Sequence, residues 1–284
     1  MKPPPFLYLR PETLDEALTQ LAEHGDEAKV LAGGQSLVPL LNFRLARPTV
    51  LIDLNLVREL TQLGREDGVL RVGAMVRQRT AERAAEVAEA CPLIPRALHH
   101  VGHVQIRYRG TIGGSFAHAD PAAELPAVSL VTGAEIVARS VRGHRTIAAD
   151  GFFLGPFTTA LEPDEILTEV RFGPTDGARV AFIEMARRVG DFALGGVAAV
   201  VRFGDGSTVS DVRLAALGMG AEPHRLAEAE AAVRGRAITD EVRRDAAAAA
   251  SRESDPLGDV HADAEYRREL VGVLVARALK EVTG

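Results

Sequence analysis

Residues 31–40 read LAGGQSLVPL, and residues 111–126 read TIGGSFAHADPAAELP. In each stretch a glycine pair follows an apolar or strand-like segment and precedes a short polar position. Glycine has no Cβ, so such a pair lets the backbone turn sharply and lets a ligand approach the main chain closely. Backbone N–H groups exposed in turns of this kind bind anions. The two stretches together therefore predict a phosphate-binding cradle built from two loops.

Hydroxyl groups at Ser36, Thr111 and Ser115 would add hydrogen-bond donors to this cradle. The sequence has no G-x-x-x-x-G-K-[ST] motif, and neither glycine pair belongs to a G-x-G-x-x-G motif. A dinucleotide bound here is therefore expected to bind outside the P-loop and Rossmann schemes.

Composition places the chain among ordinary globular proteins. Its 284 residues are 46% hydrophobic and 25% charged, and the net charge of −6 gives no reason to expect nucleic acid as a partner. The single cysteine, Cys91, excludes a disulfide within the chain. The opening residues lack the apolar core of a signal peptide, and no apolar run reaches 18 residues. We expect a cytoplasmic protein with no transmembrane segment.

The first part of the chain predicts short strands and helices around the two glycine pairs. Thr13 and Glu16 form a capping-box pattern for a helix that Gly25 would end. The expected strands are residues 6–10, 28–32, 50–54, 68–76 and the strand-like 104–109; a helix is expected over Thr80–Ala90, and a helix or strand followed by a clear strand over 127–140.

A linker is expected at FGPTDG, residues 172–177, and the pattern of elements changes beyond it. Strands are expected over 180–188, 195–203 and 211–220, with a GDGS hairpin turn at 204–207; helices are expected over 225–234, 239–252 and 264–282, the last with Tyr266, Leu270, Val273 and Leu274 on one face. Strands followed by helices predict a separate α+β domain. The expected domains are 1–175, with subdomains of about 1–55 and 56–175, and 178–284.

Other candidate sites carry weaker signals. His99, His100, His103 and His118 with Asp120 suggest a metal site, but their spacing matches no usual metal pattern. Ser36 or Ser115 could serve a Ser-His-Asp hydrolase, but neither lies in G-x-S-x-G. Three further expectations assign no catalytic role. We expect Arg107 and Arg109 to be solvated or paired, Gly195–Gly196 to lie in close backbone packing, and Cys91 to be inert.

The glycine stretches with their flanks resemble a known family. AGGQSLVPLLNFRLARPTVLIDL (32–54) and TIGGSFAHADPAAELPAV (111–128) resemble the two FAD-binding segments of the flavoprotein (medium) subunits of molybdenum hydroxylases, such as aerobic carbon monoxide dehydrogenase and xanthine dehydrogenase. The resemblance continues, in order, through residues 152–167, 187–200 and 259–279. It therefore extends over essentially the whole chain.

The resemblance implies an α+β fold: a vanillyl-alcohol-oxidase-type (PCMH-type) FAD-binding domain of two α+β subdomains, followed by a C-terminal α+β domain. It implies that the pyrophosphate of FAD is held by Lys29, Val30, Leu31, Ala32, Gly33, Gly34, Gln35 and Ser36 and by Thr111, Ile112, Gly113, Gly114 and Ser115. It also implies an acidic residue near the cofactor at Asp120 or Glu124, an aliphatic one against the isoalloxazine at Leu161, an aromatic one at Phe192, and Gly102 on the approach.

Three positions depart from the family pattern. Ser115 and His118 stand where the family often has asparagine, and Met185 stands where it often has lysine. Serine keeps a hydrogen-bonding group, so the cradle is expected to persist. The effect of Met185 on the flavin is left open. Neither glycine loop contains a histidine or cysteine as an attachment point, so FAD is expected to be non-covalent.

The resemblance implies an electron-transfer subunit with no catalytic side chain and no metal site of its own. Substrate would be oxidised at a molybdenum cofactor on a large partner subunit, and electrons would pass through [2Fe–2S] clusters of a small subunit to FAD and on to an external acceptor. A [2Fe–2S] cluster needs four ligands, which one cysteine cannot supply. The expected assembly is a dimer of heterotrimers, with carbon monoxide dehydrogenase as the favoured type.

Two alternatives remain at this point: a stand-alone FAD oxidoreductase acting directly on a small molecule, and a scaffold that has lost its flavin. The intact glycine loops count against the scaffold. The substrate (carbon monoxide, a purine, an aldehyde or another compound), the physiological acceptor and the oligomeric state are not determined by the sequence.

Overall fold

A computed structural model describes residues 2–284. In chain order the strands are β1 (Leu7–Leu9), β2 (Ala28–Leu31), β3 (Val50–Asp53), β4 (Leu63–Glu66), β5 (Val69–Gly73), β6 (Glu135–Ser140), β7 (Gly143–Ala148), β8 (Phe153–Gly155), β9 (Thr158–Thr159), β10 (Ile166–Phe172), β11 (Arg179–Ala186), β12 (Ala193–Phe203), β13 (Val209–Leu217) and β14 (His224–Arg225). The helices are α1 (Leu14–His24), α2 (Leu37–Asn42), α3 (Gln78–Arg83), α4 (Ala85–Ala90), α5 (Leu93–His100), α6 (Val104–Arg109), α7 (Ile112–His118), α8 (Glu124–Thr132), α9 (Ala227–Val233), α10 (Asp240–Glu253) and α11 (Ala264–Glu281).

The N-terminal unit is a three-stranded parallel sheet in the order β1-β3-β2. Helix α1 crosses between β1 and β2 and buries Leu14, Leu18 and Leu21 against the sheet, as its helical spacing requires. Thr13 caps this helix by accepting a hydrogen bond from the Glu16 N–H at 3.2 Å, and Gly25 ends it with φ +51°. The sequence predictions for this unit are confirmed.

The second unit is a five-stranded antiparallel sheet in the order β4-β5-β10-β6-β7, with the small hairpin β8–β9 beside it. Helices α3 to α8 run between β5 and β6. The large side chains of this core include Phe116, Phe152 and Phe172, all fully buried. Residues 4–6 precede the first sheet, and residues 54–62 join the two units through short 3-10 turns.

The C-terminal unit is a four-stranded antiparallel sheet in the order β11-β12-β13-β14, followed by α9, α10 and α11. Successive side chains along its strands point alternately into two cores. Ala198 and Val200 on β12 face the second unit, where β12 contacts α8, whereas Val197 and Ala199 face the C-terminal helices. The predicted α+β class is confirmed by this arrangement.

Helix α8 lies at the centre of the molecule. All nine of its residues, from Glu124 to Thr132, are buried. It packs on α5 and α7 on one side and on β12 and β13 on the other. A helix that is apolar around its whole circumference is expected to be buried in this way.

Several predicted elements differ from those observed. Residues 104–109, with apolar residues at every second position, form α6 rather than a strand-like segment, and the second glycine pair lies inside α7 rather than in a loop. The helix predicted over Thr80–Ala90 is interrupted at Ala84, whose ψ of 122° is extended. In α11 the side chains of Tyr266 and Val273 are about half exposed, so the buried face predicted for that helix is correct only at Leu270 and Leu274.

Within residues 2–284, no helix combines the length and the apolar character needed to cross a membrane.

Candidate functional site

The first glycine segment is a turn with unused backbone donors. The chain leaves β2 after Leu31, turns at Gly34 with φ +74°, and enters α2 at Leu37. The side chain of Gln35 donates to the Gly33 carbonyl at 3.2 Å and holds the turn closed. The N–H groups of Gly34, Gln35 and Ser36 donate to no acceptor within residues 2–284. Three unused donors in one turn have the arrangement that the predicted anion-binding nest requires.

The second glycine segment has a different role. It is the first turn of α7, and its N–H groups already donate to protein acceptors. Ile112 donates to Val76 O at 3.0 Å, Gly113 to Ala74 O at 2.9 Å, Gly114 to Thr111 Oγ1 at 3.0 Å and Ser115 to Thr111 O at 3.2 Å. The prediction that this segment is a loop with free N–H groups is therefore wrong, because Thr111 caps a helix there. What it offers a ligand is a Cβ-free surface and the Ser115 hydroxyl.

The two segments contact each other through their glycines. A Cβ on Gly33 would lie 2.3 Å from the carbonyl oxygen of Arg109, so only glycine fits at that crossing. A Cβ on Gly114 would lie 3.5 Å from Ala32 Cβ, on the side that faces the first segment. Gly113 is required for a separate reason, since its Cβ would lie 2.5 Å from the Cβ of Ala74, the residue that follows β5. The structure therefore brings residues 32–36 and 109–115 together.

Arg77 and Asn55 connect the two segments, and no motif in the sequence indicated either residue. The Arg77 guanidinium donates to Arg109 O at 2.7 Å and to Asn55 Oδ1 at 2.5 Å. The Asn55 amide in turn donates to Ala32 O at 3.0 Å, and its backbone N–H donates to Asp53 Oδ1 at 2.8 Å. The first segment is therefore held by a side chain of the connection between the two units, and the second by a side chain of its own unit.

Positive charge accumulates beside the nest. Burial and the neighbouring Arg109 guanidinium lower the pKa of Arg77, and no carboxylate among residues 2–284 lies within salt-bridge distance of either side chain. Two cations placed close together favour binding of an anion between or beside them, and the charge of Asp53, which acts on Arg77, offsets this only in part.

Two other predicted site residues, Gly102 and Phe192, lie in a second group of loops. Gly102, with φ +46°, accepts a hydrogen bond from Arg107 at its carbonyl, 3.0 Å away. The next residue, His103, packs against Gly190, whose Cβ would lie 2.5 Å from the imidazole. Phe192 belongs to the same β11–β12 loop as Gly190 and is 79% exposed. The structure thus places Gly102 and Phe192 in neighbouring loops.

Asp120 and Glu124 lie in one turn that leads from α7 into α8. Asp120 Oδ1 accepts from the Ala122 N–H at 2.9 Å, while Glu124 is buried in the first turn of α8. Leu161 follows the β8–β9 hairpin and packs, half-buried, against the second core. Lys29 is exposed on β2, with Val30 and Leu31 half-buried beside it. Met185 faces the C-terminal helices.

The weaker sequence candidates have structural explanations. Arg107 is paired with Glu82 at 3.0 Å, and Cys91 is fully buried, with burial raising its pKa to about 12. Gly195 and Gly196 pack against Met219 and Leu217, as expected. His118 lies 4.0 Å from Asp120, but across residues 2–284 the His, Cys, Asp and Glu side chains form no group of three that could hold a metal ion.

The first segment fits a pyrophosphate. It combines three unused N–H groups, a left-handed glycine in the turn, and two neighbouring arginines. A pyrophosphate carries two negative charges and several acceptor oxygens, which is the complement of this donor set.

Two family models cover nearly the whole chain. The FAD binding domain in molybdopterin dehydrogenase matches residues 4–174, and the CO dehydrogenase flavoprotein C-terminal domain matches residues 180–282. The two models meet where the β10–β11 connection lies in the structure.

Individual proteins of this kind are similar over their full length. The nicotine 6-hydroxylase medium subunit of Paenarthrobacter nicotinovorans is 40% identical, covering 99% of this chain and 98% of its own. The 6-hydroxypseudooxynicotine dehydrogenase complex subunit alpha of the same organism is 39% identical, covering 98% and 95%. A solved chain of carbon monoxide dehydrogenase from Hydrogenophaga pseudoflava superposes with a TM-score of 0.97 at 38% identity, covering 100% and 99%.

Proposed function

The chain belongs to the family of FAD-binding medium subunits of molybdenum hydroxylases, and from this we propose how it holds its cofactor and where it takes its electrons. FAD binds without a covalent bond, with its pyrophosphate on the N–H groups of Gly34, Gln35 and Ser36. The Ser115 hydroxyl and the surface of Gly114 close the other side. Arg77 and Arg109 balance the phosphate charge.

The observation that carries this proposal is the set of three N–H groups that no protein acceptor within residues 2–284 satisfies. Backbone donors left free beside two arginines are stable when an anion binds them, because charge-assisted hydrogen bonds are stronger than those to water. Bound FAD supplies a centre that accepts electrons singly or in pairs. The protein binds and orients it, and no side chain of this chain is assigned as a general acid or base.

Electrons reach this chain from a partner subunit. One cysteine cannot ligate a [2Fe–2S] cluster, so the clusters belong to a separate small subunit, and the molybdenum cofactor belongs to a large one. We propose a dimer of heterotrimers in the cytoplasm as the complete assembly. The reduced flavin then passes its electrons to an external acceptor.

Substrate choice is assigned to the large subunit. Relatives named for a nicotine derivative and for carbon monoxide resemble this chain to the same extent, at 39% and 38% identity. Substrates so different in size and polarity would require different pockets if this subunit selected them. The carbon monoxide dehydrogenase type remains the favoured subtype on the match of the C-terminal family model.

The variant Gly34→Val tests the pyrophosphate site. A Cβ at this position would lie 3.1 Å from Val38 Cγ2, and the φ of +74° disfavours any side chain. Loss of two charge-assisted N–H bonds would cost roughly 3–6 kcal/mol, or about two to four decades in FAD affinity. The expected result is a folded chain that purifies largely colourless, measured as flavin absorbance per chain beside circular dichroism.

Gly177→Val is the matched control. Gly177 has nearly the same backbone conformation, φ +71°, but is exposed in the β10–β11 connection with open space around it. It should carry the same backbone strain and keep its full flavin content. Acid precipitation of this variant and of the parent should release all flavin into the supernatant. A fully yellow Gly34→Val chain, or flavin retained in the pellet, contradicts the proposal.

A further inference from the structure

Two carboxyl groups are buried where the C-terminal sheet meets the helices of the FAD-binding unit. Glu184 lies on the face of β11 that packs on α5, and its side chain is only 2% exposed. Glu124 lies in the first turn of α8 and is 9% exposed. Carboxylates are rarely buried unless a cation or several hydrogen bonds compensate the lost hydration.

The Glu184 carboxyl group lacks this compensation for its lost hydration. Its Oε2 atom is buried and, within residues 2–284, has no hydrogen-bond partner. The nearest basic group is His100 on α5, whose Nδ1 lies 3.9 Å from Glu184 Oε1. Burial and the neighbouring His99 lower the pKa of His100, so its ring is neutral at neutral pH and supplies no counter-charge.

The groups that face Glu124 do not neutralise it either. Arg107 on α6 is the nearest cation, but it is engaged by the Glu82 carboxylate at 3.0 Å and by the carbonyl of Val101 at 2.8 Å. Asp120, in the turn before α8, adds a further negative charge. Two carboxylates that repel each other in a buried site cannot both ionise at little cost.

The pKa values of both carboxyl groups shift in the direction that this geometry requires. Burial, followed by the charge of Glu184, raises the pKa of Glu124 to about 8. Burial raises the pKa of Glu184 to about 7. At neutral pH the pair therefore retains at least one proton.

We propose that Glu124 and Glu184 are two buried proton-binding groups that together hold at least one proton at neutral pH, and that their ionisation weakens the packing of the C-terminal sheet on the helices of the preceding unit. The bond that forms on protonation is an O–H bond on one carboxyl group, and the proton comes from solvent. No electron moves and no other reactant is needed. Glu184 is not among the residues assigned to the flavin, so its part of the proposal can be tested whether or not that assignment holds.

Urea unfolding of the purified chain between pH 5 and 9 tests the site. A carboxyl group whose pKa is raised by folding stabilises the protein fully below the pKa of the unfolded chain, about 4.3, and loses that contribution as pH rises through its folded value. The parent should therefore lose stability between about pH 5 and 9. Glutamine has the shape of a protonated glutamate and cannot ionise, so Glu184→Gln and Glu124→Gln should each reduce this loss.

The sign of the effect separates this site from an ordinary structural role. At pH 8.5 each glutamine variant should unfold at a higher urea concentration than the parent, whereas at pH 5 it should show no gain. Glu169→Gln is the control, since its carboxylate is bound by Arg71 at 3.1 Å and by Arg171 at 2.6 Å. This variant should be less stable than the parent at pH 8.5. Glutamine variants of the pair that are destabilised equally at both pH values would overturn the proposal.

Infrared spectroscopy detects the proton directly, even if a variant folds poorly. In the parent labelled with ¹³C-glutamate, the isotope-shifted carbonyl stretch of a protonated carboxylic acid should be present at pH 7 and disappear towards pH 9. The band should be absent from the folded double variant Glu124→Gln/Glu184→Gln. A parent with no such band at pH 7 would show that both groups are ionised and would overturn the proposal.

Discussion

Arg77 holds both glycine segments with one planar group. Its guanidinium binds Arg109 O on one side and Asn55 Oδ1 on the other, and Asn55 continues to Ala32 O. The five N–H donors of arginine permit this double contact, whereas lysine would provide a single point of charge. The register between the two segments therefore depends on the shape of this side chain as well as on its charge.

Replacing Arg77 by glutamine should weaken FAD binding about 10- to 100-fold. The charge-assisted bonds lost are worth roughly 1.5–3 kcal/mol, and the free energy of unfolding should fall by a similar amount because Arg109 O and Asn55 Oδ1 lose their partner. Fluorescence titration of the apoprotein with FAD measures the affinity, and urea unfolding measures the stability.

Arg65→Gln serves as the comparison for this change. Arg65 forms an exposed ion pair with Asp176 at 2.5 Å, a class of contact worth only about 0–1 kcal/mol. Its removal should leave FAD affinity at the parental value. Equal FAD affinities for the Arg77 and Arg65 variants would mean that Arg77 does not support the cofactor site.

The sequence pattern singled out the glycines of the two segments, but it did not show every reason why glycine is required at these positions. Gly34 needs its left-handed φ, a property that its position in a turn predicts. Gly33 and Gly113 are required by contacts with Arg109 O and Ala74 Cβ, which lie far away in the chain. A pattern in one sequence cannot reveal such contacts, and the same holds for Arg77, which follows a predicted strand without any motif around it.

At the level of elements, α7 forms against its own propensities. Each glycine inside a helix costs about 1 kcal/mol relative to alanine, so Gly113 and Gly114 predict a loop. The helix forms because Thr111 caps it and because Phe116 buries a full aromatic side chain in the second core. Helix α6 was mistaken for a strand-like segment because Ile106 and Tyr108 alternate with Arg107, whose burial by the Glu82 ion pair reverses the usual pattern.

The cap residue Thr111 should therefore control the stability of α7. Thr111→Ala removes the hydroxyl that accepts from the Gly114 N–H, and the free energy of unfolding should fall by about 0.5–2 kcal/mol. Thr111→Ser keeps the hydroxyl and should remain close to the parent. Urea unfolding of the three chains measures the difference; a serine variant as unstable as the alanine variant would assign the loss to the missing methyl group instead.

On the scale of the whole molecule, the order of strands and helices was predictable mainly in the C-terminal unit. The strands expected over 195–203 and 211–220, with the GDGS turn between them, predicted the hairpin that β12 and β13 form. The burial of Glu124 and Glu184 was not predictable from the sequence, since it arises only when the C-terminal sheet packs on the helices of the preceding unit. The boundaries 1–175 and 178–284 remain a prediction.

We expect the isolated chain to oxidise no substrate of such a complex. Purified free of metals but containing FAD, it should not oxidise carbon monoxide, purines or aldehydes, because it has neither the cysteines for a cluster nor a proposed molybdenum site. The same sample, reduced chemically, should pass electrons to an external acceptor, which absorption at the flavin band records. Substrate turnover by the metal-free chain would favour a stand-alone oxidoreductase.

Helix α8 leaves the ribosome before the strands that cover it. Its apolar residues are spread around the whole circumference, yet β12 and β13 follow much later in the chain. At about 5–20 residues per second, the nascent chain carries this uncovered helix for on the order of 10 s. During that interval the newly made polypeptide exposes an apolar surface to which chaperones and other nascent chains can bind. Slow translation between residues 133 and 217 should therefore reduce the yield of native protein, even though the finished fold is unchanged.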